Sequence, residues 1–527
     1  VASEYRKEWV DLHGVSKSRS FWKSDDALLL YIGLLSVIIH LVIDITTTYG
    51  YFRDELYYIA CSDHLDWGYV DQPPFSLVIL ALSRLFFGES LPALRLLPAL
   101  SGGWMIFLTG RMARELGGGR FSQTLAAVVV LIAPVYLSIF DIYSMNSFDF
   151  LFWALCMLIL IRIFKTGDEK LWVLFGVLIG LGLQNKLSIL FLCVGLTVGM
   201  LLSSHRRWFF RKWFWIGGLT AFLIYLPHIL WQMANDWPTI EFMRNATEYK
   251  NLPIPPLAFL TEQVLMLHPL SLIIWVPGLL YLFFAREGRR YRPLAFMYIT
   301  LLVVFMAKNG KPYYQAPTYV ILIAAGGIVI ERFIEKRKWN WLKSVVIVFL
   351  VAGGIFTAPI VLPLLPPETF IRYAKAIGVE PGTGERGEVD KLGQQFSDMF
   401  GWPEMAATVS EVFHSLTPRE QNVCAILTRN YGQAGAIDFF GRELGLPKAI
   451  SGHNSYWFWG PGDYTGEVMI IIGGNIEDYA PDFESCELAA VIIHEYARSF
   501  ESNLPVYICR GIRRPLREHW LDIRIFI

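Results

Sequence analysis

Apolar stretches near or above the roughly 20 residues that cross a bilayer recur through the first two-thirds of this 527-residue chain. That repetition limits the fold more than any motif does. In lipid only helices and closed barrels satisfy their own backbone, and apolar runs this long suit helices. Charged residues make up 17% of the chain and hydrophobic residues 54%, against about 25% charged in a soluble domain. The class is a polytopic α-helical membrane protein. Its 46 basic and 46 acidic residues cancel, so net charge gives no reason to expect a nucleic-acid partner, and membrane lipids are the expected surroundings.

Hydropathy and loop charge predict about eleven spanning segments, near 27–47, 92–114, 121–139, 147–165, 171–185, 187–203, 213–233, 264–285, 293–307, 313–333 and 343–364. Basic clusters then fall on every second connection: Arg6 to Lys23, Arg111/Arg114/Arg120, Arg162/Lys165/Lys170, Arg206 to Lys212, Arg286 to Arg292 and Arg332 to Lys343. The positive-inside rule makes these ends cytoplasmic, the N-terminus included. The polar segment 1–26, with an apolar run after it too long for an h-region, reads as cytoplasmic and without a signal peptide. Residues 48–91 form a long outside connection. Its part 75–87 is apolar but too short to cross, so re-entrant or interfacial helices are expected there and at 55–65.

The division is thus 1–26, a membrane domain over 27–364 and a soluble domain over 365–527, the last placed outside the membrane. Pro363, Pro366 and Pro367 end the last span. Residues 423–428 and 468–474 read as buried strands and 432–444 as a helix stopped by Gly445, a small α/β pattern. The stretch 378–387 reads as a flexible loop that acceptor binding could order. Cys156 and Cys193 lie in apolar segments and read as packing. Cys61, Cys424, Cys486 and Cys509 could form disulfides if exported, in pairs the spacing does not give.

With this topology the unusual polar residues gather on the outer side. Asp54, Glu55, Asp63, His64, Asp66, Asp71 and Gln72 lie in the first outside connection, Asp141, Asn146 and Asp149 in the second, and Asn185 and Lys186 in the third. Asp236, Glu241, Glu262 and His268 follow, then Lys308, Lys311, Tyr313 and Tyr314. Asp63 and Asp66 read first as solvated caps, and Lys308 and Lys311 could snorkel, although they run against the positive-inside trend. Asp149 at the start of an apolar helix could serve the helix dipole, and His268 could equally be a packing residue. A carboxylate pair at the mouth of a membrane helix, Asp54-Glu55, is costly unless it faces water, protein or substrate.

An enzyme working outside the membrane has no nucleotide pool, so an activated sugar must arrive on a lipid. Transfer from a polyprenyl phosphate needs a carboxylate to take the acceptor's proton, cations or a metal to offset charge on the leaving phosphate, and an apolar groove for the isoprenoid. The chain offers these groups in kind. Five motifs carry a resemblance in order: Arg53-Asp54-Glu55-Leu56-Tyr57-Tyr58, Asp71-Gln72-Pro73-Pro74, Ser144-Met145-Asn146-Ser147-Phe148-Asp149, Gly182-Leu183-Gln184-Asn185-Lys186 and Lys308-Asn309-Gly310-Lys311-Pro312-Tyr313-Tyr314. Over roughly 27–364 the chain resembles the lipid-phosphate-dependent glycosyltransferases of the GT-C superfamily, which contains the protein O-mannosyltransferases and the aminoarabinose transferases.

The resemblance implies an inverting transfer at the outer face of a bacterial inner membrane, from a polyprenyl-phosphate-linked hexose or pentose to a lipid, glycan or protein hydroxyl. It makes Asp54 the base with Glu55 beside it and Asp149 a second acid lining the cavity. Substrate contacts would come from Arg53, Tyr57, Tyr58, Gln72, Lys186, Lys308, Lys311 and Tyr313. Asp71 and His268 fall near positions that hold a divalent ion in some members, which leaves a divalent metal as the one cofactor in question. Gln72 stands where the aminoarabinose transferases carry a lysine, so neither their donor nor their lipid A acceptor carries over. Trp457 and Trp459 in the tail could stack on a sugar or dock the tail on the membrane core. Two other classes remain: a lipid or glycolipid flippase, and a membrane-anchored binding protein whose tail does the work.

Overall fold

The computed structural model describes residues 24–382, 385–386 and 389–527. The basic cluster Arg6 to Lys23, most of the segment 1–26 and part of the 378–387 stretch lie outside the described residues. Helix α1, Asp25–Thr46, starts where the Ser24 hydroxyl accepts the Ala27 amide at 3.1 Å and where Asp25 and Asp26 complement the dipole. There follow α2 (Arg53–Asp63), α3 (Phe75–Phe87), α4 (Leu91–Glu115), α5 (Arg120–Ile132), α6 (Pro134–Asp141), α7 (Met145–Thr166), α8 (Leu171–Leu183), α9 (Ile189–Leu201) and α10 (Lys212–Ala234). Then come α11 (Pro256–Met266), α12 (Leu272–Phe284), α13 (Arg292–Ala307), α14 (Tyr319–Arg337) and α15 (Trp341–Val361).

Among the described residues, seven helical stretches are long and apolar enough to cross a bilayer alone, and ten if each of three bent pairs counts as one span. The bends have local causes. Pro134 opens α6 without an amide hydrogen, and α5 and α6 meet at 61°. At the 92° break between α11 and α12, His268 takes a positive φ of 72° before Pro269. The eleventh expected span corresponds to α8, whose 13 residues rise only about 20 Å. Helices α2 and α3 form as expected beside the bundle, and α3 leaves Leu85, Phe86 and Phe87 exposed, which suits an interfacial helix.

Helices α7 and α14 are the most enclosed, while α10 and α15 leave most of their surface uncovered, as lipid-facing helices do. Without a hydrophobic drive between helices in lipid, close backbone approach matters. Gly33 on α1 faces Gly103 on α4, where a Cβ on Gly103 would sit 2.9 Å from the Gly33 carbonyl oxygen. One end of the bundle is a basic rim of ion pairs: Arg111 and Arg114 with Asp26, Arg162 and Lys165 with Glu115, and Lys343 with Glu335. There Glu331 of α14 also accepts the amides of Gly119 and Phe121, which open α5.

The tail carries a five-stranded mixed sheet, with strands β1 (Cys424–Thr428), β2 (Ala449–Ser451), β3 (Val468–Ile472), β4 (Phe483–Ile492) and β5 (Leu504–Ile512) in the order β2-β1-β3-β5-β4. The first three strands run parallel, with helix α16 (Trp402–Ser415) preceding β1 and helix α17 (Tyr431–Phe440) connecting β1 to β2, whereas β4 and β5 add antiparallel. A disulfide joins Cys486 to its register partner Cys509, while Cys61, Cys156 and Cys424 are buried free thiols and Cys193 is a half-buried one. Of the aromatics of 455–459, Phe458 and Trp459 meet the membrane domain, whereas Trp457 pairs within the tail. Trp457 and Trp520 each donate an indole N–H to the other's carbonyl at 2.9 Å. Trp459 stacks on His64 at 4.3 Å, and Phe458 meets Trp231. The fold class is as expected: a helical membrane bundle carrying a small C-terminal sheet domain.

Candidate active site

Helix α2 decides the site because its two adjacent acids point in opposite directions, as neighbours about 100° apart on a helix must. Glu55 turns into the bundle and is fully buried. Its oxygens accept from Arg95 of α4 at 2.8 and 2.9 Å, from the Phe52 amide at 2.8 Å and from the Tyr143 amide at 2.7 Å. Arg95, itself fully buried, also reaches Asp44 at 3.1 Å. Glu55 therefore has no open oxygen facing a substrate.

Asp54 turns outward, with its side chain 38% exposed. Its Oδ1 accepts the Tyr431 hydroxyl from α17 at 2.9 Å and lies 3.7 Å from Arg53 Nε, while Oδ2 has no hydrogen bond among the described residues. Around it stands a group of cations. Arg53, Lys250 and Lys311 converge on Glu385 at 3.6, 3.4 and 3.8 Å. A cavity of about 200 Å³ opens here, lined by Arg53, Lys250, Glu385, Tyr431, His453 and Ile527 among others. A larger one, about 390 Å³, lies at Ile360 and among residues 370–396, and none of these groups lines it.

The electrostatics follow from burial and these pairs. Burial alone would raise the Glu385 carboxyl, but Lys250, Arg53 and Lys311 hold it down to about 2. Burial draws the Lys311 ammonium below its ordinary value, with Glu385 opposing. Burial, aided by Lys250 and Arg53, brings His453 down to about 3, so it is neutral here. Asp71, whose carboxylate accepts the Tyr57 hydroxyl at 3.0 Å, is pushed up by burial to about 6. A carboxylate held low adds stability that is complete above its ordinary value of 4.5 and is lost as the pH falls toward 2. The Tm gap between wild type and Glu385→Gln is thus expected to be full at pH 6 and to shrink below pH 4.5. Thermal unfolding in detergent across that range checks it, and a gap constant down to pH 3 contradicts it.

A second group lies on the same end of the bundle. Lys186, in the turn between α8 and α9, donates to Asn146 Oδ1, and its ammonium sits 5.5 and 5.2 Å from the ring centres of Tyr313 and Tyr314. Asp149 on α7 is buried, accepts the Ser188 hydroxyl at 2.7 Å and keeps Oδ1 unpaired. Lys186 senses both Asp149 and Lys311, and Tyr313 senses both Asp149 and Asp54, which ties the two groups into one charged neighbourhood.

The structure thus brings together Arg53, Asp54, Tyr57, Asp71, Asp149, Lys186, Lys311 and Tyr313. Tyr58 is buried under α2, its hydroxyl accepting the Met145 amide at 3.2 Å. Gln72 is fully buried beside this end with both amide atoms unpaired. Lys308, at the end of α13, is exposed and joins neither group. His268 is spent elsewhere: Nδ1 accepts the Leu270 amide at 3.3 Å and the ring bonds the Gly353 backbone on α15. Asp71 and His268 do not form a donor set, and no cluster of three or more His, Cys, Asp or Glu fit to hold a metal occurs among the described residues.

Lys250, Glu385, Tyr431 and His453 were missed from sequence. Three come from the tail, which no membrane motif covers. The one available signal was the small-residue face Tyr431-Gly432-Gln433-Ala434-Gly435, which lets α17 lie against α2. A Cβ on Gly435 would sit 2.8 Å from the Leu56 carbonyl carbon.

Comparison with known proteins agrees with this architecture. A family model described as dolichyl-phosphate-mannose-protein mannosyltransferase matches residues 71–231. The lipid A galacturonosyltransferase RgtD of Rhizobium johnstonii is 22% identical over 438 residues, covering 80% of this chain and 86% of its own. ArnT from Cupriavidus metallidurans superposes with TM-scores of 0.60 bound to undecaprenyl phosphate and 0.61 in the apo state, at 15% identity over 92% of this chain and 97% of ArnT. The chain thus shares the fold of ArnT over most of its length, and its residues 71–231 are similar to the mannosyltransferase family model.

Proposed function

We propose that the protein transfers a sugar, with inversion, from a polyprenyl-phosphate donor to an acceptor hydroxyl at the outer face of a bacterial inner membrane. The observation that carries this reading is Asp54, a carboxylate with one oxygen held and one open beside Arg53 and near Lys311, with Lys186 in turn near Lys311. In the step, the acceptor oxygen attacks the anomeric carbon and its proton passes to Asp54 Oδ2. The bond from that carbon to the phosphate oxygen breaks, its electron pair leaves with the phosphate, and polyprenyl phosphate is released. A positioned base contributes about 10²–10⁴-fold, and cations aimed at the leaving oxygen about 10²–10³-fold each. Lys186 and Lys311 are the candidates for the phosphate, with Asp149 setting the position of Lys186 and Tyr313 flanking it.

Two features support the outer face. The basic rim lies at the end opposite α2, as the positive-inside rule requires of a cytoplasmic end. The Cys486–Cys509 disulfide suits an oxidising compartment. The donor class rests on the likeness to proteins whose structures or names include undecaprenyl phosphate and dolichyl-phosphate mannose.

The test is to incubate purified protein in detergent with labelled polyprenyl-phosphate sugars and a membrane extract as acceptor source. The reading expects label to leave the donor and the product to carry the inverted anomeric configuration; retained configuration or no turnover across the panel contradicts it. Within that assay Lys186→Met should lower kcat/KM for the donor about 10²-fold. Exposed Lys308→Met should leave it within about twofold. Initial rates against donor concentration separate the two.

A further inference from the structure

We infer that Tyr431, carried by the C-terminal sheet domain, is a positioning residue for Asp54, so that the sheet domain completes the active site. This rests on the assignment of Asp54 as the base. Asp54 is half-exposed at the second position of α2, where a short carboxylate side chain has several rotamers open to it. What selects one is the Tyr431 hydroxyl, donated to Oδ1 at 2.9 Å, which leaves Oδ2 for the acceptor proton.

Tyr431 is built to hold that position. Its ring is 7% exposed and lies between Tyr57, at 4.6 Å and 30°, and His453, at 4.9 Å and 20°. The Arg53 guanidinium sits 5.5 Å from the ring centre, and the Tyr431 amide donates to His453 Nδ1 at 3.2 Å. The start of α17 is itself fixed. Asn430 Oδ1 accepts the amides of Gly432 and Gln433 at 2.9 and 3.0 Å, and Glu501 receives Asn430 Nδ2 and Gln433 Nε2 at 2.8 Å each. Gly435 allows α17 to approach the α2 backbone. Burial holds the Tyr431 phenol well above its ordinary value, so it stays protonated and can only donate to a carboxylate. A base that must meet a substrate hydroxyl within tenths of an ångström gains rate from such support without touching substrate.

The experiment has two arms on the full-length protein in detergent. In the transfer arm, wild type, Asp54→Asn, Tyr431→Phe and Gly435→Val are compared. Tyr431→Phe keeps the ring and its stacks and removes only the hydroxyl; it should lower kcat about tenfold, the worth of one aligned hydrogen bond, with donor KM unchanged. Gly435→Val, which wedges α17 away from α2, should lose kcat likewise. In the stability arm, Tm is measured for Asp54→Ala, Tyr431→Phe and the double variant, and the double should lose less than the sum of the singles. Full kcat in Tyr431→Phe, a loss carried by donor KM, or additive Tm losses each overturn the inference, the last whether or not a donor has been found. Transfer retained by Asp54→Asn would instead strike the base assignment itself, and this inference with it. A dead Asp54→Asn beside a fully active Tyr431→Phe would strike this inference alone.

Discussion

Asp54→Asn should fold, bind polyprenyl phosphate as wild type does, and transfer sugar about 10²–10⁴-fold more slowly, the range for loss of a positioned general base. The substitution keeps the shape of the side chain, and an amide oxygen can still accept the Tyr431 hydroxyl that Oδ1 accepts now. What is lost is the capacity to take a proton. Because Asp54 is half-exposed and its nearest cation, Arg53, has Glu385 and Asp398 as further partners, neutralising it strands no buried charge. Unfolding temperature should therefore hold while rate collapses. A fall in both would mean the residue serves the fold.

The opposite result is expected one residue and one helix away. Arg95→Met should cost about 3–5 kcal/mol, the range for breaking a buried ion pair from one side, and leave little protein that unfolds cooperatively. Among the described residues Arg95 is the only cation paired with Glu55 and with Asp44, and all three side chains are sealed from solvent. Removing it leaves two carboxylates facing each other inside the bundle. Neutralising Glu55 as well, in Arg95→Met/Glu55→Gln, should restore part of the loss, because one stranded charge is gone and the single amide oxygen can still accept one of the two backbone amides, of Phe52 or of Tyr143, that the carboxylate oxygens now hold. Thermal unfolding of the three proteins in detergent checks this. A double variant no better than the single would show that the stranded charge is not what destabilises it.

Asp54 and Glu55 also show what a sequence can and cannot say about such a site. The apolar runs, the alternating basic loops and the order of five motifs were enough for the bundle, its two ends and the membrane-side cluster. Length was misleading at α8, where a run that reads as a span forms just 13 residues of helix, and three other expected spans form as bent pairs. Adjacent acids look alike in a string. The helix turns one to solvent and the other to Arg95, a partner 40 residues on whose burial no local pattern announces. His268 reads as a ligand because it is polar in an apolar setting, yet it closes the α11–α12 break and bonds Gly353. Tyr431 is more than 370 residues from Asp54, and only the tertiary fold of the tail brings it there.

The most direct test of the central claim is a single-turnover transfer of labelled sugar from polyprenyl phosphate, run side by side with wild type and Asp54→Asn at matched Tm and matched donor binding. The account predicts label moved to acceptor by wild type and left on the donor by Asp54→Asn. Equal transfer by both would contradict it.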